Sequence, residues 1–105
     1  MSELEEWSQN DFDDALKQKQ TFIADFWAPW CGACKLMEPI VTKISKEFKD
    51  TLFAKIDVSK NGMLASKMGV ISLQNFLFIK NGKVVEQIIG ATTESTIKLK
   101  LKKIT

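Results

Sequence analysis

Two cysteines, Cys31 and Cys34, stand two residues apart in the run Asp-Phe-Trp-Ala-Pro-Trp-Cys-Gly-Ala-Cys-Lys. Three chemistries suit such a pair: a structural staple, half of a metal site, or a reversible dithiol. The staple reading is weak, because a disulfide across so short a loop removes little entropy from the unfolded chain. A structural zinc site wants four ligands, mostly Cys and His. The chain has no histidine and no third cysteine, so it supplies half a site at most. The redox reading needs only a means of making one sulfur an anion, since the thiolate is the nucleophile of disulfide exchange. A strand that delivers the pair to a helix start provides it. Unsatisfied N–H groups and the helix dipole favour negative charge there and bring a cysteine below its ordinary pKa of ~8.5. Cys31 is then the nucleophile and Cys34 the resolving thiol, the more buried of the two.

The rest of the sequence bounds the setting. At 105 residues and 45% hydrophobic, the chain has the size of one domain, residues 1–105, and can build its own core. A net charge of +2, from 15 basic and 13 acidic residues, gives no case for nucleic acid. The acidic, polar start lacks a signal-peptide pattern, and no apolar run reaches the length of a membrane span. The expectation is a cytoplasmic monomer, with no membrane partner. In that compartment a close cysteine pair is more often catalytic or metal-binding than structural.

The pair must be held by neighbouring elements. Glu3 to Trp7 reads as a short strand. Asn10 is a plausible N-cap for a helix whose Phe12, Ala15 and Leu16 share a face. Thr21 to Trp27 is an almost unbroken apolar run, the mark of a strand buried on both sides. From Cys34 to Phe48, Met37, Ile40, Val41, Ile44 and Phe48 follow helical spacing, with Pro39 as an expected kink. A strand over 51–59 and a short helix ending at Gly69 follow. Two strands, 76–80 and 83–89, are joined by Asn81-Gly82, the strongest short hairpin signal. A final helix after Gly90 turns Ile97, Leu101 and Ile104 inward, and its terminal lysines read as a solvated end. The alternation predicts an α/β mixed sheet with helices on both faces.

With these residues in place, the chain resembles the thioredoxin family. Asp-Phe-Trp-Ala-Pro-Trp-Cys-Gly-Ala-Cys-Lys, Ala-Lys-Ile-Asp-Val, Phe-Ile-Lys-Asn-Gly-Lys-Val-Val and Ile-Gly-Ala occur in the family's order and spacing, across almost the whole chain. The resemblance implies a thioredoxin fold, five strands flanked by four helices. It implies a thiol–disulfide oxidoreductase that reduces protein disulfides with no cofactor beyond the Cys31–Cys34 disulfide. A thioredoxin reductase-like donor would restore the dithiol, and the clients would be disulfide-containing proteins. Asp25 matches the family's buried carboxylate. An acid amid Phe-Ile-Ala and Phe-Trp should be buried with a raised pKa, able to take a proton from Cys34. Lys55 matches the lysine near it, although a lysine that merely snorkels out of its strand is equally consistent. Trp30, Gly32 and Ala33 would form the docking face, flanked by Gly90 and Ala91, with Leu73 offering its backbone to an extended client segment.

Two positions depart from the family pattern. Ala33 stands where thioredoxins typically carry proline, which leaves the turn freer and predicts a shifted redox potential. Gln74 stands where the family has a cis-proline; the only prolines here are Pro29 and Pro39. Because a non-proline cis bond is costly, a trans Leu73–Gln74 peptide and a rearranged loop are expected. The Gln74 amide is then free to bond a sulfur or a client. Loss of the proline also leaves an alternative open: a thioredoxin-fold interaction module, or a dimer bridged by a metal or iron–sulfur cluster, without general reductase activity.

Overall fold

The computed structural model describes residues 4–105. Glu3, part of the first expected strand, lies outside them. The elements are β1 (Leu4–Glu6), α1 (Gln9–Lys17), β2 (Phe22–Trp27), α2 (Gly32–Glu47), β3 (Leu52–Asp57), α3 (Gly62–Lys67), β4 (Asn75–Lys80), β5 (Lys83–Ile89) and α4 (Glu94–Leu101). The strands form one sheet in the order β1-β3-β2-β4-β5. β1, β3 and β2 run parallel, while β4 and β5 are antiparallel to their neighbours. This is the mixed α/β sheet expected from the alternation of periods.

β2 lies at the centre of the sheet, which explains its composition. A middle strand covered on both faces cannot alternate polar and apolar residues. Phe22, Ala24 and Phe26 face α1 and α3, packing with Phe12, Ala15, Leu64 and Ala65. Phe12 meets Phe22 edge-on at 5.5 Å, a favoured arrangement of ring quadrupoles. Ile23 faces the other way, into a cluster with Met37, Val41 and Ile44 of α2 and Ile97 and Leu101 of α4. Strand alternation therefore puts Asp25 on the α2 face. By the same parity Lys55 follows Phe53 onto that face, and Gln74 precedes Phe76 and Phe78 on it.

Local signals set the element ends. α1 begins at Ser8, not at Asn10. The Ser8 hydroxyl accepts from Asp11 N–H, and the Asp11 carboxylate accepts from Ser8 N–H at 2.9 Å. Two orphan donors are satisfied by one reciprocal pair, which Asn10 cannot match. α1 ends with Lys19 at φ 55°, where Lys19 N–H reaches Leu16 O and Gln20 N–H reaches Ala15 O, a Schellman closure. Gly69 closes α3 in the same way at φ 73°. In the hairpin, Asn81 and Gly82 both have positive φ, as expected, and Gly82 N–H donates to Gln20 O at 2.9 Å. The hairpin tip thus rests on the end of α1. Of the terminal lysines, Lys102 and Lys103 are exposed as expected, while Lys98 and Lys100 are half-buried and ion-paired. Lys98 pairs with Glu94 and Glu47, and Lys100 with Glu86. Among the described residues no helix is long and apolar enough to cross a membrane.

Candidate redox site

β2 ends at Trp27, and the chain turns through Ala28, Pro29 and Trp30 into α2. Cys31 N–H donates to Ala28 O at 3.1 Å, closing the turn. Cys31 is then the N-cap of α2. Its Sγ accepts the backbone N–H of Cys34 at 3.2 Å. A sulfur thus takes the place usually held by a serine or aspartate oxygen. It sits where helix amides and the helix dipole stabilise negative charge. Cys31 and Cys34 are joined as a disulfide, with their Cα atoms 5.3 Å apart. Both are buried and almost equally so, which leaves little of the expected contrast between them.

Asp25 lies below the turn, 4% exposed. Burial lifts its pKa from 3.8 to about 6. The Gln74 hydrogen bond and the charge of Lys55 work against that rise, while Glu38 and Glu6 add to it. Asp25, Cys34 and Lys55 line one cavity of about 110 Å³, together with Trp27, Ala28, Pro29, Lys35 and Glu38. Lys55 is beside Asp25 in the β2–β3 register. Its ammonium does not point freely into solvent. It sits 4.5 Å from the centre of the Trp27 ring and 3.6 Å from Glu38. The Trp27 indole N–H in turn donates to Glu6 at 3.3 Å. Sequence reasoning does not single out Glu38 or Glu6. Glu38 is four residues after Cys34, hence on the same helical face, and that spacing is the available signal.

The loop before β4 corrects two expectations. The Leu73–Gln74 peptide is cis, not trans. Contacts of Gln74 and Asn75 hold the chain there. Gln74 O accepts from Gly90 N–H at 2.6 Å, Asn75 Nδ2 donates to Ser72 O at 3.3 Å, and Asn75 is paired with Phe26 on one side and Ile89 on the other. A preference counted from one peptide bond leaves out all of these. The Gln74 amide, expected at a sulfur or a client, instead donates from Nε2 to Asp25 Oδ1 at 2.8 Å. Gln74 is fully buried, and its Oε1 meets no donor among the described residues.

The surface beside the cysteines is open. Trp30, next to Cys31 in the chain, is 71% exposed. Gly32 and Ala91 are exposed, and Ala33 and Leu73 half-buried. Neither the N–H nor the C=O of Leu73 is hydrogen-bonded among the described residues. Gly90 has φ 88°, and a side chain there would project into open space rather than into the fold. Asp25, Cys31, Cys34, Lys55, Leu73, Gln74 and Gly90 are linked by these contacts at one end of the sheet.

A mixed sheet whose central strand delivers a helix-capping Cys-x-x-Cys disulfide above a buried acid defines a dithiol–disulfide exchange protein. The thioredoxin family profile matches residues 3–103. Thioredoxin-1 of Saccharomyces cerevisiae is 38% identical over 82 residues, 78% of this chain and 80% of its own length. Thioredoxin 2 of Chlorobaculum tepidum is 34% identical over 93% of this chain and 91% of its own. Among solved structures, a mutant thioredoxin from Halobacterium salinarum superposes with a TM-score of 0.88 at 34% identity, covering 98% of this chain and 91% of that one. The chain belongs to the thioredoxin family. It is a thiol–disulfide oxidoreductase whose redox group is the Cys31–Cys34 pair. The alternative of an interaction module or bridged dimer is not better supported by these relatives.

Proposed function

We propose that Cys31 attacks client disulfides and that Cys34, with Asp25 as its base, resolves the product. The observation that carries this order is the Cys34 N–H bond to Cys31 Sγ. It favours the anion on Cys31 and leaves Cys34 to need a base. The Cys31 thiolate attacks one sulfur of the client disulfide, forming a mixed disulfide and expelling the other client sulfur as a thiolate. Asp25 takes the proton of Cys34. The Cys34 thiolate then attacks Cys31 Sγ, forming the Cys31–Cys34 disulfide and expelling the second client thiolate. Two electrons pass to the client, and its two thiolates take up protons, one of them delivered by Asp25. The cavity shared by Asp25 and Cys34 supports the transfer, since it has room for water to relay the proton. Lys55 tempers the acid from beside it.

Clients dock on the apolar rim. Trp30, Gly32 and Ala33 flank the attacking sulfur, and Gly90 and Ala91 border the opposite side. The unpaired backbone groups of Leu73 are suited to an extended client segment, with Gln74 supporting that loop from beneath. A separate reductase of the thioredoxin reductase type returns the dithiol. The setting is cytoplasmic and the working unit a monomer.

Reduction of insulin disulfides by a chemically recycled dithiol tests the assignment. Cys31→Ser should abolish turnover, and Cys34→Ser should accumulate a mixed disulfide visible by intact mass. A mixed disulfide trapped on Cys34 in the Cys31→Ser protein would reverse the order of the two sulfurs.

A further inference from the structure

One buried polar atom in the site has no partner. Gln74 Nε2 is held by Asp25 Oδ1 at 2.8 Å, while Oε1, at the other end of the same amide, is buried and unbonded among the described residues. Native proteins seldom leave a buried acceptor unmet. The arrangement makes chemical sense if Asp25 changes protonation state. As a carboxylate, Asp25 only accepts hydrogen bonds. As an acid, it must also donate one. A primary amide carries a donor and an acceptor at symmetric positions, and a half-turn about its last torsion exchanges them. After that half-turn, Oε1 would occupy the place of Nε2, within hydrogen-bond reach of the Asp25 oxygen. Because Oε1 has no bond to lose, the half-turn breaks only the contact that protonation has already weakened.

We propose that Gln74 is a positioning residue for proton transfer at Asp25, its amide turning over to keep a hydrogen bond to the carboxyl group in both protonation states. Asp25 then stays in the cavity it shares with Cys34 throughout the cycle. The inference rests on Asp25 being the base for Cys34. The other groups facing Asp25 cannot substitute. Lys55 of β3 attracts the carboxylate, Glu38 of α2 and Glu6 of β1 repel it, and Lys35 and Cys34 of α2 line the same cavity. Gln74 is the only side chain hydrogen-bonded to Asp25 among the described residues. A proline in its place would have no side-chain group for the task.

The test follows the Asp25 carboxyl carbon and the Gln74 side-chain amide by NMR across the acid-to-neutral range, in the oxidised protein. In the native chain, the amide proton bonded to Asp25 should lose its downfield shift at the same midpoint at which Asp25 takes its proton. Gln74→Met keeps the length but removes both functions. It should raise the Asp25 midpoint by about one pH unit, because the bond to the charged form is the stronger of the two. Gln74→Glu provides a second variant. It places a second carboxyl against Asp25, and the pair should hold one proton to well above the native midpoint. The midpoint of mixed-disulfide resolution, measured by single-turnover kinetics, should follow that of Asp25 in each variant. If neither variant moves the Asp25 midpoint, or if the Gln74 amide signals do not change with Asp25, this inference fails and the role of Asp25 stands. If the midpoint moves and resolution ignores it, the role of Asp25 fails as well.

Discussion

Replacing Asp25 with asparagine tests the electrostatics of the site without touching a sulfur. Burial is the main cause of its raised pKa, from 3.8 to about 6. The sign is opposite to that of a salt-bridged carboxylate. Between the two values the folded chain binds the proton more tightly than the unfolded one, so stability falls as pH rises through this window and levels off above it. The full gap corresponds to ~3 kcal/mol, at about 1.4 kcal/mol per pH unit. Asparagine keeps an oxygen that can accept from Gln74 Nε2 and carries no charge to desolvate. Asp25→Asn should therefore stabilise the oxidised protein by ~3 kcal/mol near pH 7.5, and by only ~1 kcal/mol near pH 4.5. Urea unfolding at the two pH values, with equal m-values as a control, measures both numbers. A gain that does not depend on pH, or none near neutrality, would show that Asp25 is not held as a buried charge. The same substitution should slow resolution by Cys34 near neutral pH, since the variant trades function for stability.

Other substitutions probe the scaffold and the rim. A Cβ on Gly82 would lie 2.8 Å from Leu16 O, at φ 78°, so Gly82→Ala should cost ~2–4 kcal/mol in urea unfolding and loosen the hairpin from α1. Lys19 occupies the left-handed position that ends α1, at φ 55°, and Lys19→Gly should raise stability by ~0.5–1 kcal/mol on the same measurement. Trp30 is largely exposed; Trp30→Ala should leave stability within ~0.5 kcal/mol of native while raising the KM for insulin several-fold with kcat little changed.

The parts of the fold legible in the sequence are those governed by local period. The unbroken apolar run of β2, the helical spacing of α2 and the Asn81-Gly82 turn each carry their own signal. Asp25 is legible because an acid inside such a run has few places to go. The Leu73–Gln74 peptide and the Gln74 hydrogen bond are not. They depend on Asp25, 49 residues before Gln74, and on Gly90 beyond the hairpin, and sequence neighbours carry no record of either. A hint exists in strand parity, since Gln74 falls on the same face as Phe76, the register partner of Asp25. The N-cap of α1 differs for a smaller reason. Asn10 is a good cap alone, but Ser8 has Asp11 three residues on to complete the pair.

The position of β2 governs how the two sulfurs meet another protein. Bonded on one edge to β3 and on the other to β4, it is an anvil: the turn it carries is anchored to a strand held along both edges. On the proposed function, accommodation during exchange would fall mainly to the visitor. A disulfide within a loose, extended stretch would then be laid across Trp30 and Leu73 more readily than one locked between rigid elements. The proposed docking therefore predicts that clients with pliant disulfide segments are reduced faster than rigid ones.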